Sequence, residues 1–454
     1  MAETNSREEE LLRRIQELEL ENEVLKKKVA EVGVTNINQS QVEEYDAKYP
    51  KIDENFCLDE YKRYGRQMIV PEFGSLKSQI KLKNSSILVV GAGGLGCPAL
   101  LYLSAAGIGK IGIVDDDIVD ISNLHRQVLH TTDSIGMFKC DSAKKYICKL
   151  NPHVIVKTYP VRLHNDNAFD IVNDYDIVLD CTDTPAVRYL INDVSVLCRK
   201  TIVSGSGLKS DGQLSILNFN NEGPCYRCFY PKPPSAESIT TCSDGGVIGP
   251  CIGLLGVSMA VETIKVLTGF YTKDNFKPFL SMYTGYPQQS FRVFKMRGRS
   301  DKCSVCGSFP TVSKEAILNN EIDYVAFCGK VDSNVLTPED RITVQQFSDI
   351  VTRQSKAPVL LDVRTKEQFQ IAKLPNSINI EWDPTFKKLE SLDKYLPEDF
   401  DKDTDPVFVV CRYGNDSQLA TRKMKQELDF KNAKDIIGGL NKWSDIVNPK
   451  FPKY

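Results

Sequence analysis

The chain lacks a surplus of charge of either sign and an export signal. It carries 57 Lys and Arg against 60 Asp and Glu, so its charge balance gives no reason to expect a nucleic-acid scaffold. The uncharged run over residues 245–261 is shorter than the ~20 apolar residues of a membrane-spanning helix and contains Pro250. The first residues are acidic and do not resemble a signal peptide. We therefore expect a cytosolic protein that has no membrane partner and no direct nucleic-acid partner.

Cysteine, by contrast, is abundant. In a chain without an export signal, the 14 cysteines are interpreted as free thiols, metal ligands or nucleophiles and not as a disulfide framework. The length of 454 residues allows two to three domains, and the 41% of hydrophobic residues is typical of a folded globular protein.

Residues 1–45 are predicted to form a short N-terminal helix and a linker. Within 8–32 there is no Gly or Pro, and Asn22 fills the one gap in a seam of apolar residues spaced four and three apart, at Leu11, Ile15, Leu18, Leu25, Val29 and Val32. A polar Asn at a core position often fixes the register of a two-stranded coiled coil. A single solvated amphipathic helix explains the same pattern, and both alternatives stay open.

Residues 46–307 and 341–454 are predicted to be two α/β domains, joined by a weakly periodic linker over 308–340. In each of them, continuous apolar strands alternate with helical runs, which is typical of a parallel sheet covered on both faces. The strands are predicted at 86–90, 111–114, 177–179, 358–364 and 407–410, and the clearest helices at 98–106 and 417–428. The first domain is expected to be Rossmann-like and the second to be smaller.

The motif Gly91-x-Gly93-x-x-Gly96 lies between a predicted strand and a predicted helix. Glycines at this spacing allow a tight turn and let backbone N–H groups approach a phosphate at the helix N-terminus. Asp115 ends the next strand, where it can accept hydrogen bonds from ribose hydroxyls. The glycines alone do not distinguish an NAD site from an ATP site, and a tight turn with a purely structural role is the alternative to a nucleotide site.

Three charged residues beyond this loop favour nucleotidyl chemistry. Arg126 and Lys139 are cations that a triphosphate needs and a redox cofactor does not. Asp183 follows a later strand and offers a hard oxygen ligand for Mg²⁺. Taken singly, each residue is better explained as a solvated charge or a strand-end cap, and only the ordered set after a glycine loop favours nucleotidyl chemistry.

Two C-x-x-C pairs together supply four thiolates, which is enough for a closed tetrahedral Zn²⁺ site of the structural kind. The pairs are far apart in the sequence, so such a site would tie distant segments together. The four cysteines are Cys225, Cys228, Cys303 and Cys306. A redox dithiol is the competing interpretation.

Taken together, these motifs and the segments 63–70, 122–127 and 180–183 resemble the adenylating domain of ubiquitin-activating-type enzymes. The last domain resembles a rhodanese. The combination is similar to the family of adenylyltransferases and sulfurtransferases that activate ubiquitin-like sulfur carriers, which includes molybdopterin synthase sulfurtransferases and ubiquitin-related-modifier activating enzymes. The resemblance covers residues 56–454.

The resemblance implies a set of site residues. The positions matching the family's ATP site are Gly94, Asp115, Ser122, Asn123, Leu124, His125, Arg126, Lys139, Asp183 and Thr184, the last of which replaces the Asn of many relatives. Arg66 matches an arginine that reaches the triphosphate in the neighbouring subunit of a homodimer. Cys242 matches the crossover-loop cysteine that receives the activated carrier, although a Cys between Ser, Asp and Gly is by itself no more than an exposed loop thiol.

Cys411 opens a six-residue loop between a buried strand and a helix. Loop N–H groups and the helix dipole can stabilise a thiolate or persulfide anion there. A cysteine phosphatase needs Arg six residues after its Cys, and this chain has Ser417. All four histidines precede this domain, which excludes a Cys–His pair within it. Cys411 is thus predicted to carry a rhodanese-type persulfide.

The resemblance implies that ATP and Mg²⁺ activate the C-terminal glycine of a ubiquitin-like sulfur-carrier protein, and that sulfur from Cys411 makes a thiocarboxylate. A cysteine desulfurase or another sulfurtransferase would be the sulfur donor. The family's products feed tRNA wobble-uridine 2-thiolation, protein conjugation and, in some lineages, molybdopterin synthesis. The alternatives are an NAD-dependent oxidoreductase fused to a sulfurtransferase, and a zinc-stabilised scaffold without activity.

Overall fold

The computed structural model describes residues 56–233, 245–329, 334–353 and 358–454. The predicted N-terminal helix over 8–32 and Cys242 lie outside the described residues. The chain divides into two units, Met1–Ile69 and Val70–Tyr454. The described part of the first unit holds α1 (Leu58–Met68), whose first turn is acidic and whose last turn carries the exposed Arg66.

An eight-stranded sheet organises the first domain of the second unit. Its spatial order is β3-β2-β1-β4-β5-β6-β7-β8, and pairing is parallel up to β5 and antiparallel beyond it. The strands are β1 (Ser86–Val90), β2 (Lys110–Val114), β3 (Ile155–Tyr159), β4 (Ile177–Asp180), β5 (Thr201–Leu208), β6 (Asp211–Leu217), β7 (Phe279–Thr284) and β8 (Ser290–Lys295). The three strands predicted here from the sequence are confirmed, and so is the Rossmann-like fold.

Helices cover both faces of this sheet and enclose two apolar cores. They are α2 (Ser75–Lys83), α3 (Gly96–Ala106), α4 (Lys139–Leu150), α5 (Asn165–Asn173), α6 (Pro185–Leu197), α7 (Tyr226–Phe229) and α8 (Gly249–Thr268). By length and composition alone, α8 could cross a membrane. It instead packs on α3, β5 and β6, where Leu255 and Met259 are buried.

The segment predicted as a linker, 308–340, needs correction over part of its length. It contains α9 (Lys314–Leu318) and α10 (Tyr324–Cys328), and the side chains of Ile317 and Tyr324 are buried in the core of the first domain. Each helix is only five residues long and is started by a side-chain cap, from Ser313 and Asp323 respectively. Helices of little more than one turn produce no hydrophobic periodicity, so they could not be predicted from the sequence.

The second domain contains a five-stranded, wholly parallel sheet in the order β11-β10-β12-β13-β9. Its strands are β9 (Arg341–Ile342), β10 (Val359–Asp362), β11 (Ser377–Asn379), β12 (Val407–Val410) and β13 (Ala433–Ile436). Its helices are α11 (Val344–Arg353), α12 (Lys366–Ile371), α13 (Asp416–Glu427) and α14 (Gly439–Ile446). Apolar cores lie on both faces of the sheet, as predicted for a small α/β domain.

Candidate functional site

A cavity of about 730 Å³ opens at the carboxyl ends of β1, β2 and β4. Parallel strands leave such a crevice where neighbouring connections run to opposite faces of the sheet, and ligands bind there in open α/β folds. The cavity is lined by seven of the residues predicted to bind ATP, namely Gly94, Asp115, Asn123, Arg126, Lys139, Asp183 and Thr184. The sheet topology thus brings together residues that are up to ninety positions apart in the chain.

The glycine loop forms one wall of this cavity and leaves no room for side chains at two positions. Gly91 has φ +98°, and its N–H donates to the carbonyl of Val114 at 2.9 Å. A Cβ on Gly96 would lie 1.9 Å from the carbonyl oxygen of Gly91. The glycines therefore let the first turn of α3 close against the end of β1, as an approaching phosphate requires.

The peptide of Ala92, inside the loop, is held at both ends. Its N–H donates to Asp115 Oδ2 at 2.7 Å, and its carbonyl oxygen lies 3.0 Å from His130 Nε2. His130 Nδ1 lies 2.9 Å from the hydroxyl of Ser142 on α4. Burial lowers the pKa of His130 and so favours the neutral ring. His130 could not be predicted from the sequence, because a lone histidine in a loop has no distinguishing pattern.

Asp115 was predicted to accept hydrogen bonds from ribose hydroxyls, and it lines the cavity. Asp115 also has a structural role, because its two carboxylate oxygens accept hydrogen bonds from the N–H groups of Ala92 and Asp117. Burial raises the pKa of Asp115, while Lys139 and the two backbone N–H groups act in the opposite direction. Asp115 therefore shapes the loop as well as facing the ligand space.

The predicted cations lie at the cavity wall and are already oriented. Lys139 is buried at the start of α4 and its Nζ lies 2.7 Å from Asp117 Oδ2. Arg126 donates to the side chain of Asn123 at 2.6 Å and to the carbonyl of Ser122 at 3.0 Å. A buried lysine and an arginine held by hydrogen bonds need little reorganisation to meet a polyphosphate.

Three of the predicted ATP residues do not line the cavity in the described part of the chain. Ser122 bonds to Asp120, His125 Nε2 lies 2.8 Å from Arg126 Nη1, and Leu124 ends a short 3-10 turn. Their contribution to this structure is to shape the turn that carries Asn123 and Arg126. Arg66 lies in the last turn of α1, in the first unit.

Two cavity residues were missed by the sequence analysis as individual site residues. The guanidinium of Arg188 is buried on α6, pairs with Asp180 at 3.2 Å and donates to the carbonyls of Thr182 and Gly205. Gln127 is buried, and its Oε1 has no hydrogen-bond partner among the described residues. An orphaned buried oxygen on a cavity wall fits a site that is completed by a ligand.

The residues at this cavity also fit a divalent cation that accompanies a nucleotide. The exposed Asp183 faces the cavity, and among the described residues no cation pairs with it. The carboxylates of Asp115, Asp116 and Asp117 also line the cavity and lie within 4.8 Å of one another. Carboxylate oxygens are the ligands that Mg²⁺ takes alongside phosphate oxygens.

The two C-x-x-C pairs converge on one buried point. Sγ–Sγ separations are 3.9 Å for Cys225–Cys228, 3.5 Å for Cys225–Cys303 and 3.4 Å for Cys228–Cys306. With Zn–S bonds of ~2.3 Å, the edge of a tetrahedron of sulfurs is about 3.8 Å. The separations are far longer than an S–S bond of ~2.0 Å. The four thiols therefore fit a tetrahedral metal ion and form no disulfide.

In the second domain, the Cys411 loop joins β12 to α13 and is closed by Gly414, which has φ +83°. The Gly414 N–H donates to Cys411 Sγ at 3.1 Å, and the hydroxyl of Ser417 lies 3.3 Å from the same sulfur. Burial raises the pKa of Cys411, while the contacts from Ser417 and Gly414 lower it. Ser417, whose position in the sequence excludes a phosphatase, thus contacts the sulfur of Cys411 directly.

The Asp362-x-Arg364 pair supports this loop from the neighbouring strand β10. Its carboxylate and guanidinium are both buried, 2.5 Å apart, and Arg364 also donates to the carbonyl of Ala372 and the hydroxyl of Tyr454. The guanidinium of Arg412, from the loop itself, stacks 4.6 Å from the ring of Tyr454. The chain after α14 therefore packs against the side of the loop.

The fold and the two sites define a class: an enzyme with a nucleotide-binding α/β domain that carries a cysteine-loop sulfurtransferase domain. The family model described as the ThiF family matches residues 64–305, and the model of the rhodanese-like domain matches residues 343–446. Together they account for both of the α/β domains described above.

Three curated relatives carry the name adenylyltransferase and sulfurtransferase UBA4. The protein from Scheffersomyces stipitis is 97% identical over 454 residues and covers 100% of both chains. The one from Debaryomyces hansenii is 65% identical over 98% of this chain and 99% of its own, and the one from Saccharomyces cerevisiae strain RM11-1a is 51% identical over 94% and 98%. The chain belongs to the ThiF family and, within it, to the UBA4 adenylyltransferases and sulfurtransferases.

This membership confirms that the protein is an adenylyltransferase and a sulfurtransferase. It also decides between the alternatives that the glycine loop left open. An ATP-using domain is confirmed, and the NAD-dependent oxidoreductase and the inactive scaffold are set aside.

Proposed function

We propose that this enzyme adenylates the C-terminal glycine of a ubiquitin-like sulfur carrier and converts that glycine to a thiocarboxylate. The proposal rests on one observation, namely that the same chain holds two sites. One is a cavity lined by two cations that are already oriented for a phosphate, and the other is a cysteine loop suited to a persulfide. A carboxylate is a poor electrophile, and adenylation supplies the leaving group that attack by sulfur requires.

In the first step, a carboxylate oxygen of the carrier attacks the α-phosphorus of ATP and pyrophosphate leaves. Lys139 and Arg126 face the triphosphate and stabilise the charge that develops on its oxygens. The glycine loop cradles the phosphates, and Asp115 accepts from the ribose. Asp183 would hold Mg²⁺, which neutralises phosphate charge when bound.

In the second step, the acyl group meets sulfur. Cys242 takes the acyl group from AMP as a thioester, and the terminal sulfur of a Cys411 persulfide then attacks the acyl carbon and displaces the Cys242 thiolate. An external thiol attacks Cys411 Sγ and breaks the S–S bond of this intermediate, which releases the thiocarboxylate and leaves Cys411 in a disulfide with that thiol. Loop N–H groups favour the persulfide anion, as the Gly414 contact to Cys411 indicates. Covalent linkage of both domains raises the effective concentration of the second reactant.

We also propose a homodimer in which Arg66 of one subunit reaches the triphosphate of the other. Exposed apolar side chains on two helices of the first domain support an interface, since Tyr102 on α3 is 57% exposed and Val261 on α8 is 46% exposed.

The four clustered cysteines support a structural Zn²⁺. The thirteen described cysteines are all free, which suits a reducing compartment such as the cytosol.

The carrier would then feed tRNA wobble-uridine 2-thiolation and protein conjugation, and in some lineages molybdopterin synthesis. These downstream roles rest on the family resemblance. The sulfur donor would be a cysteine desulfurase or another sulfurtransferase, because Cys411 needs a sulfane sulfur from outside the chain.

Carrier-dependent ATP–pyrophosphate exchange tests the proposal. We expect exchange with a ubiquitin-like carrier that ends in glycine and none when that glycine is removed. Lys139→Met should abolish exchange, whereas Cys411→Ala should leave exchange intact and remove thiocarboxylate formation. Exchange that proceeds without any carrier, or a Cys411→Ala chain that still makes thiocarboxylate, would contradict it.

A further inference from the structure

Cys411 must lose a proton before its sulfur can accept a sulfane atom, and the structure gives that proton little access to water. The residue is 3% exposed. The second domain contains no histidine, so the usual base of a reactive cysteine is missing. Any base must therefore be found among the other side chains that face the sulfur.

A chain of hydrogen bonds leads from this sulfur to a buried carboxylate. Cys411 Sγ lies 3.3 Å from Ser417 Oγ, and Ser417 Oγ donates to Asp435 Oδ1 at 2.5 Å. Both Ser417 and Asp435 are 0% exposed. Because the single hydroxyl proton of Ser417 is committed to Asp435, its oxygen faces Cys411 as an acceptor for the thiol proton.

Arg341 pairs with the carboxylate at the end of this chain. Its Nε donates to Asp435 Oδ2 at 2.9 Å, and its side chain is 18% exposed. Burial raises the pKa of Asp435, and the contacts with Ser417 and Arg341 oppose that rise. A carboxylate in this environment is a stronger base than an exposed one and still has a charged partner. Asp416, on the same helix as Ser417, acts on the sulfur electrostatically and raises the pKa of Cys411.

We propose that Ser417 and Asp435 form a proton relay that activates Cys411 for sulfur transfer. The thiol proton passes to Ser417 Oγ while the hydroxyl proton of Ser417 passes to Asp435 Oδ1. The products are a thiolate, an unchanged hydroxyl and a neutral carboxylic acid. The thiolate then attacks the outer sulfur of a donor persulfide, the donor S–S bond breaks, and the donor leaves as a thiolate.

In this relay Ser417 is a catalytic residue, because it contacts the reacting sulfur, and Asp435 acts through it. The relay rests on the proposed function, in which Cys411 is the residue that carries the persulfide. It explains why a hydroxyl occupies the position where a phosphatase would hold arginine, since a cation there would block the path to Asp435.

The test is the pH dependence of Cys411 alkylation in the full chain, followed by mass spectrometry of the peptide that contains Cys411. With the relay, Asp435 removes the proton during attack, so the rate should change by less than about threefold between roughly pH 6 and pH 8. In Ser417→Ala and in Asp435→Asn, only the free thiolate reacts, and the rate should fall about tenfold for each unit of pH decrease.

Thr421→Ala is the matched control. Thr421 is also fully buried on α13, one turn further along, and its hydroxyl donates to the Ser417 carbonyl at 2.7 Å without a contact to Cys411. It should lose stability and keep the flat profile. A steep profile in the wild type, a flat one in Ser417→Ala, or equal changes in Ser417→Ala and Thr421→Ala would overturn the relay.

The same measurement is independent of the proposed function, because alkylation needs neither a carrier nor a sulfur donor. If the relay variants behave as expected and Cys411→Ala still makes thiocarboxylate, the proposed route fails and the relay stands. If Cys411→Ala blocks thiocarboxylate formation and the pH profiles coincide, the route stands and the relay fails.

Discussion

Substitution of Gly96 by alanine should disable adenylation while leaving the second domain active. The added Cβ would lie 1.9 Å from the Gly91 carbonyl oxygen, and real Cβ atoms keep at least 3.0 Å from such an atom. Relief of this clash demands a displacement of about 1 Å between the start of α3 and the loop. The two nearest atoms, the carbonyl oxygen and carbon of Gly91, belong to the backbone, so rotation of a side chain cannot relieve the clash.

A displacement of this size disturbs the surface that receives the phosphates. The hydrogen bond from Gly91 to Val114 and the bond from Ala92 to Asp115 both start in the segment that must move. A misplacement of ~1 Å at a reacting centre costs about 100-fold in rate, which corresponds to roughly 2.7 kcal/mol. We therefore expect kcat/KM for carrier-dependent pyrophosphate exchange to fall about 100-fold in Gly96→Ala.

Gly253→Ala, on α8, is the control. A Cβ there would meet nothing within 4 Å, and Gly253 does not line the cavity. Exchange should stay within about threefold of the wild type. Thiosulfate sulfurtransferase activity of the second domain, measured on the same samples, reports whether the protein is folded. Equal exchange rates in the two variants would refute the steric argument.

Two further predictions concern the metal and pH. Removal of zinc by a chelator should lower the Tm of the first domain. Metal analysis should find one equivalent of zinc per chain in the wild type and in the control Cys148→Ser, which changes an exposed cysteine, and none in Cys303→Ser. Full zinc occupancy in Cys303→Ser would exclude this site. Because burial lowers the pKa of His130, the unfolded chain binds more protons than the folded one below the ordinary histidine pKa, and stability falls as the pH falls through that region. Thermal unfolding should show a smaller loss in His130→Gln than in the wild type between about pH 7.5 and pH 5.5, and parallel curves would contradict this assignment.

The sequence predicted the parts of the fold that carry a strong local signal. The run 86–90 is a continuous apolar strand followed by glycines, and the structure begins and ends β1 at those residues. Strand β12 was predicted with equal accuracy for the same reason. The antiparallel strands β7 and β8 were not predicted, because most of their side chains are exposed or half-buried and give no continuous apolar run.

The candidate sites show the same division. The glycine loop, Lys139 and Cys411 could be found because each belongs to a motif with fixed spacing. Arg188 could not, since a single arginine in a helical run is usually solvated, and only the fold shows it paired with a carboxylate under the cavity.

Asp435 was equally invisible in the sequence. It follows Cys411 by twenty-four residues, and nothing local marks it as different from other aspartates. It reaches the loop because β13 lies beside β12 in the parallel sheet. Contacts that depend on the order of strands in space cannot be read from local pattern alone.

The most direct test of the central proposal is mass spectrometry of a ubiquitin-like carrier after incubation with the enzyme, ATP, magnesium and a persulfide donor. We predict that the carrier exchanges one oxygen of its C-terminal carboxylate for sulfur, and that the exchange requires both ATP and Cys411. A carrier that is adenylated and never gains sulfur, or that gains sulfur without ATP, would contradict the proposal.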